Sequence, residues 1–396
     1  MLRKLVKHIE IKEKYSHKSK RGYLVLAVLF VLTGACIGPF EAEIDEEPVL
    51  ISIEGSIIKG SLRQTVVISK STSLANPHNL PVRGCDVSVI DEFDKQFNYT
   101  EIENGSYLCD IADEDLVVDR KYKLRITTAD GDMYESRFER LVGGVDIDTV
   151  YYIIEDRVDA ISGEEYSGIQ FYVDIQAPDS TSKYFRWKLD ETYEFNSVGP
   201  ISYFYYEMGQ VPVYPDDMWG VFRCWKSEEI QGEFLSSTIN LENNEKKMIP
   251  LNYVSTLTER LRIKYSLYIN QYAIDEEAYK YFELNKIASE EGGGLYTRQP
   301  RQPLTNMQNV NDSTERVLGY FWVSSRSYVR MMVPQVPGLD VKPNFCAVEP
   351  WNYDDHGEGP FSQYILEIDG VRYTGASYCF DCTKRGGSTK RPSYWD

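Results

Sequence analysis

The chain is expected to be mainly β: an N-terminal seven-stranded β-sandwich of immunoglobulin or transthyretin type, followed by a larger β-rich domain with one α-helix. Three observations carry this expectation. Short apolar–polar alternations recur from Val49 onward with turn residues between them, the pattern of half-buried strands. Two Asp-Gly pairs, Asp130-Gly131 and Asp369-Gly370, separate such stretches, and that dipeptide tolerates the positive φ of a tight hairpin. One stretch near 275–291 has the start and stop signals of a helix.

Residues 1–35 read as a secretory signal. Eight basic residues, Arg3 to Arg21, precede an unbroken apolar run from Tyr23 to Leu32 and then Thr33-Gly34-Ala35-Cys36. Ten residues at ~1.5 Å each reach about half of a ~30 Å bilayer core, too short to span it. Gly34-Ala35-Cys36 resembles a bacterial lipobox, in which the cysteine is acylated, so Cys36 is the expected lipidation site and membrane anchor. Residues 36–48 are acidic and poor in apolar side chains, and are expected to form a flexible tether.

The sandwich is expected over 49–142, with strands at 50–54, 64–69, 85–91, 97–101, 107–110, 121–128 and 133–138. Alternation is cleanest where Tyr122, Leu124 and Ile126 oppose Lys121, Lys123 and Arg125. A glycine pair, Gly143-Gly144, marks the expected junction to a second domain at 149–396. There Phe185, Trp187 and Leu189 alternate with Arg186 and Lys188. Leu261, Ile263, Tyr265, Leu267 and Ile269 alternate with residues facing away, Tyr268 and Asn270 among them. Asp275 is the expected N-cap of the helix, and Gly292-Gly293-Gly294 its stop.

Charge and cysteine content limit function. Removing residues 1–35 takes the net charge from −18 to about −24, which argues against nucleic acid as a partner. Six cysteines remain besides Cys36, and an even number in an exported chain reads as disulfides. Cys85 and Cys109 lie on strand faces directed into the same sandwich and are expected to pair. Cys224, Cys346, Cys379 and Cys382 are expected to pair within the second domain, Cys346 with one member of Cys379-x-x-Cys382 and Cys224 with the other. Neither a zinc ribbon nor a thioredoxin-like motif is expected, because no second close cysteine pair and no βαβ setting exist. Beyond the signal only His78 and His356 occur, one in each expected domain, so no Ser-His-Asp or Cys-His site is expected. The oxygen-rich loop around His356 lacks the spacing of a calcium loop. No cofactor and no metal are expected.

Aromatic residues are the one enriched resource, with 30 tyrosines and six tryptophans. Tyr203, Phe204, Tyr205, Tyr206, Tyr214 and Trp219 form the densest run, which continues to Trp225. Tyr and Trp supply rigid contact area with a polar tip, so this run is the candidate binding surface.

Several segments, taken in order, carry a family likeness. They include Ile53-Glu54-Gly55, Thr65-Val66-Val67-Ile68-Ser69, Pro81-Val82-Arg83-Gly84-Cys85, Arg223-Cys224-Trp225, Lys264-Tyr265-Ser266-Leu267 and Ala278-Tyr279-Lys280-Tyr281-Phe282. The most specific are Val317-Leu318-Gly319-Tyr320-Phe321 and the tail, Cys379-Phe380-Asp381-Cys382 through Lys390-Arg391-Pro392-Ser393-Tyr394-Trp395. From the lipobox to the last residue the chain resembles the Bacteroidota outer-membrane lipoproteins grouped as domain of unknown function 4249. That family shows Ala where this chain has Cys85, and it has no established catalytic residues to carry over. The resemblance implies an outer-membrane lipoprotein of a kind whose gene often neighbours a TonB-dependent transporter. The expectation is therefore a non-enzymatic binding or accessory subunit of an outer-membrane β-barrel transporter, lipid-anchored at the cell surface, with its ligand unknown. A structural scaffold lipoprotein of the envelope is the alternative.

Overall fold

Alternation puts one side of most N-terminal strands inside, and six of the seven expected strands are present. The stretch expected at 97–101 is instead two strands, Gln96–Asn98 and Thr100–Glu103, that belong to different sheets. The computed structural model describes residues 49–71, 80–206, 209–212, 220–291, 305–342, 346–351 and 363–395. The expected signal, Cys36 and the expected tether lie outside these residues, as do His78 and His356. The first part runs β1 (Ile51–Lys59), β2 (Arg63–Lys70), β3 (Leu80–Pro81), β4 (Asp86–Asp91), β5 (Gln96–Asn98), β6 (Thr100–Glu103), β7 (Ser106–Asp110), β8 (Lys121–Thr127), β9 (Met133–Ser136) and β10 (Glu139–Arg140). Longer strands follow: β11 (Thr149–Val158), β12 (Glu165–Gln176), β13 (Tyr184–Asn196), β14 (Tyr203–Tyr206), β15 (Gly209–Pro212), β16 (Arg223–Ser237), β17 (Glu245–Ser255) and β18 (Lys264–Ile274). After α1 (Glu276–Glu291) come β19 (Met307–Asn309), β20 (Val317–Leu318), β21 (Phe321–Pro334), β22 (Val348–Pro350), β23 (Gln363–Ile368), β24 (Val371–Gly375) and the single turn α2 (Ser377–Phe380). The protein is mainly β, as its sequence predicts.

β1, β2, β7 and β6 face β5, β4, β8 and β9, and Ile53, Val66, Tyr107, Tyr122, Leu124 and Ile126 fill the space between them. Each such side chain, fully withdrawn from water, contributes about 1.5–3 kcal/mol. Asp130-Gly131 closes β8 on β9, with Gly131 at φ 94°. In Asp369-Gly370, which joins β23 to β24, both residues have positive φ, the requirement of a type I′ turn.

The expected division at 142–149 needs correction. β1 pairs in parallel with β21, Gly55 opposite Phe321 through Lys59 opposite Ser325. A ten-stranded sheet therefore crosses that point, ordered β16-β13-β18-β21-β1-β2-β7-β6 with β20 also beside β1 and β3 beside β2, and Val49–Asp396 forms one unit. β19, from beyond the helix, extends the opposite sheet beside β9. Gly319 permits the pairing. Its φ is 91°, and a Cβ there would meet the Ile53 carbonyl oxygen at 2.0 Å, so only glycine lets the chain pass beneath β1. A separate three-stranded sheet, β11-β12-β17, packs its apolar side on β13, β18 and β21 around Trp187, Phe171 and Tyr265. Helix α1 starts as expected, with Asp275 Oδ1 accepting from Ala278 N at 2.8 Å. It buries Ala278, Tyr281 and Phe282 against Ile58, Tyr272 and Tyr320.

Candidate functional site

The cysteines divide into two pairs and two free thiols. Cys224 on β16 is bonded to Cys382, and Cys346 before β22 is bonded to Cys379 in α2. Cys379-x-x-Cys382 thus staples the C-terminal segment to two places at once, the arrangement expected. Cys85 and Cys109 are free, which corrects the expected bond between them. Both rest against the sandwich core as anticipated, but each has its own neighbour. The Tyr107 hydroxyl accepts from Cys85 N at 3.0 Å and donates to the Val82 carbonyl at 3.0 Å, and so stands beside Cys85. Cys109 Sγ turns to the Asp110 carbonyl at 3.8 Å. Burial pushes both thiols up, leaving them neutral and weakly nucleophilic.

Of the aromatic run, Tyr203, Phe204, Tyr205 and Tyr206 form β14, which pairs with β15 and β23. Tyr203 is half-buried, and the Arg372 guanidinium lies 4.6 Å from its ring centroid. Tyr214 and Trp219 lie outside the described residues. Trp225 belongs to the interior of β16, its backbone bridged to Ser388.

A second aromatic group escaped the sequence reading. β13, β18 and β21 are neighbours, and the register sets Asp190 beside Tyr268, Tyr268 beside Arg330, and Asn270 beside Tyr328. These residues share the face of the large sheet opposite its core. Arg330 stacks 3.6 Å from the Tyr394 centroid and 4.5 Å from that of Tyr268, while its Nη1 donates to Ser266 Oγ at 2.9 Å. Arg326 lies 5.1 Å from the centroid of Tyr328, which is 60% exposed. Asn270 Nδ2 donates to Asp190 Oδ2 at 3.3 Å. Asn270 Oδ1 and Arg326 Nε are buried with no partner among the described residues. Burial, then Glu229, raises the Asp190 carboxyl above the usual carboxylate range.

This face is walled at both ends. On one side α1 covers it, with Arg186 3.6 Å from the Phe282 centroid and held by Glu233 through two bonds of 2.8 and 2.7 Å. On the other lies the tail, where Trp395 Nε1 donates to Glu194 Oε2 at 2.8 Å and Tyr394 shares a 2.9 Å hydrogen bond with Thr192. Local periodicity signalled Tyr268 and Asn270 as outward-facing but could not name the strands beside them.

A buried carboxyl stands where the sandwich meets α1. Glu139 Oε1 accepts from Asn306 Nδ2 at 2.7 Å, and Asn306 brackets Phe321 through both its backbone groups. Burial first, and the neighbouring Asp275 charge after it, push Glu139 up to about 7. Among the described residues no group of three or more His, Cys, Asp or Glu side chains is placed to hold a metal ion.

These features define a mainly β protein with a walled tyrosine–arginine face and a disulfide-stapled C-terminal corner. Residues 37–329 match the family model described as Domain of unknown function (DUF4249), and the chain belongs to that family. No curated protein matches it.

Proposed function

We propose that this protein is a non-catalytic lipoprotein of the outer membrane, anchored through Cys36 and serving as a binding or accessory subunit of a TonB-dependent transporter. The observation that carries the reading is the basic segment and ten-residue apolar run ending in Gly34-Ala35-Cys36. Stable anchoring needs two or more acyl chains, which a lipidated N-terminal cysteine provides. Two disulfides support export, since such bonds persist in oxidising compartments. A tether holds the folded part near a membrane partner at high effective concentration. Aromatic residues of β14 and the tyrosine–arginine face supply the contact chemistry.

Crosslinking in intact cells followed by purification in mild detergent tests the reading. The expected outcome is a large barrel protein recovered in near-equal amount, with Cys36→Ser releasing the chain to the soluble phase or leaving its signal uncleaved. Recovery without a barrel, or an unchanged fractionation of Cys36→Ser, overturns it.

A further inference from the structure

Strand edges differ sharply in how they are protected. A free edge presents unpaired N–H and C=O groups, and proteins blunt such edges with short strands, prolines, lysines or bulges. Here β5, β19 and β22 have three residues each, and β6 has four with a register shift. β17 carries Pro250, Lys246, Lys247 and two register shifts. β16 has Lys226 and a positive-φ Gly232, and Ser388 bridges it at Trp225.

β11 is less protected, its charges confined to Glu155, Asp156 and Arg157 near one end. Its ten residues, Thr-Val-Tyr-Tyr-Ile-Ile-Glu-Asp-Arg-Val, contain no proline, glycine or lysine. They pair with β12 from Thr149 opposite Asp174 to Val158 opposite Glu165 without a register shift. Among the described residues no strand pairs with the other edge, and no backbone hydrogen bond reaches it. Ile153, Ile154 and Val158 are exposed along it. β17 accompanies β12 only from Gly168 onward, so the far end of the β11–β12 hairpin projects beyond the sheet to Ile161, 99% exposed at its tip.

We propose that β11 is a self-association edge, pairing antiparallel with β11 of a second copy to make a continuous six-stranded sheet. The charge pattern chooses this occupant. A two-fold axis through Ile154 sets Val150 across from Val158, Tyr151 across from Arg157 and Tyr152 across from Asp156. Valine thus meets valine, and Arg157 and Asp156 each meet a tyrosine, while Glu155 falls across from Ile153. A parallel copy in register would instead stack Glu155 on Glu155 and Asp156 on Asp156, which is destabilising. Anchoring both copies in one membrane would raise their local concentration. The repulsion of a chain of net charge about −24 once residues 1–35 are removed is screened beyond about 8 Å at physiological salt, leaving the strand contacts to decide.

The full chain in neutral detergent tests the proposal by analytical ultracentrifugation and by cysteine crosslinking in a Cys85→Ser, Cys109→Ser background. The expected protein mass is that of a dimer at tens of micromolar. Ile154→Lys weakens association at least tenfold and leaves the thermal midpoint unchanged, because the side chain is already exposed. Ile154→Cys forms a covalent dimer under mild oxidation. Ile161→Cys does not, since antiparallel pairing holds the two tips ~45 Å apart at ~3.3 Å per residue. A monomeric parent, a dimer indifferent to Ile154→Lys, or equal crosslinking at both positions overturns the proposal. Barrel recovery plays no part in these readouts, so the transporter reading and this one can fail separately.

Discussion

The N-terminal sandwich and the C-terminal corner solve the same problem by different means. In the sandwich, two sheets close over a continuous core from Ile51 to Val323, and the two cysteines beside it stay reduced. In the corner around β23, β24 and α2, the buried cluster is Ile201, Leu366, Cys379 and Phe380, and disulfides tie Cys379 in α2 to Cys346 and Cys382 just after it to Cys224. A small core cannot offset the conformational entropy of ordering its own chain, so covalent links do part of the holding. Cys346–Cys379 lies in that thin cluster, whereas Cys224–Cys382 is buried in the larger core around Phe171 and Trp187 and ties the corner to it.

The largest expected effect tests that contrast directly. Cys224→Ser with Cys382→Ser removes the bond that closes the longer loop, 158 residues against 33, and costs ~2–4 kcal/mol. Limited proteolysis then begins between α2 and the tail, while amide exchange in β1, β2 and β8 keeps its protection. Uniform loss of protection across both regions would break the comparison.

A smaller effect concerns the seam where α1 meets the sandwich. Glu139 rises from the ordinary 4.5 up to about 7 in the folded protein, so the folded state holds that proton more tightly than the unfolded chain does. Its contribution is fully present below 4.5 and is lost as pH climbs through 7. Glu139→Gln keeps a neutral partner for Asn306 and removes the titration. Calorimetry at pH 8 should show the variant melting a few degrees above the parent, with little difference at pH 5. Equal shifts at both pH values would mean that the carboxyl charge is not what strains the seam.

Least change is expected from Cys85→Ser with Cys109→Ser. Neither thiol is crosslinked and both are only partly buried, so stability should fall by less than ~1.5 kcal/mol. Denaturant midpoints check this, and a loss of 2–4 kcal/mol would reveal a bond between them after all.

Much of the local structure was legible beforehand. Tyr122, Leu124 and Ile126 face inward as their alternation requires, both Asp-Gly pairs turn hairpins, and Asp275 caps the helix. The Cys379-x-x-Cys382 staple was legible as well, because nearby cysteines limit the partners available. The parallel seam between β1 and β21 was not. Its residues lie more than 260 positions apart, and no local pattern records which strand stands beside which. The walled face was hidden for the same reason, since Arg330 meets Tyr268 across one register and Tyr394 across a chain fold-back.

By itself, then, the sequence determined what each segment is: which residues face inward, where hairpins turn and where the helix starts. Period-two alternation and turn chemistry are properties of neighbours in the chain, and such short-range sterics act before any tertiary contact forms. The tertiary structure alone decided that one sheet runs through both halves, that Cys85 and Cys109 stay apart, and that among the described residues no strand pairs with the outer edge of β11. Each of these depends on distances between segments remote in sequence, and those are set by packing the whole set of apolar faces at once.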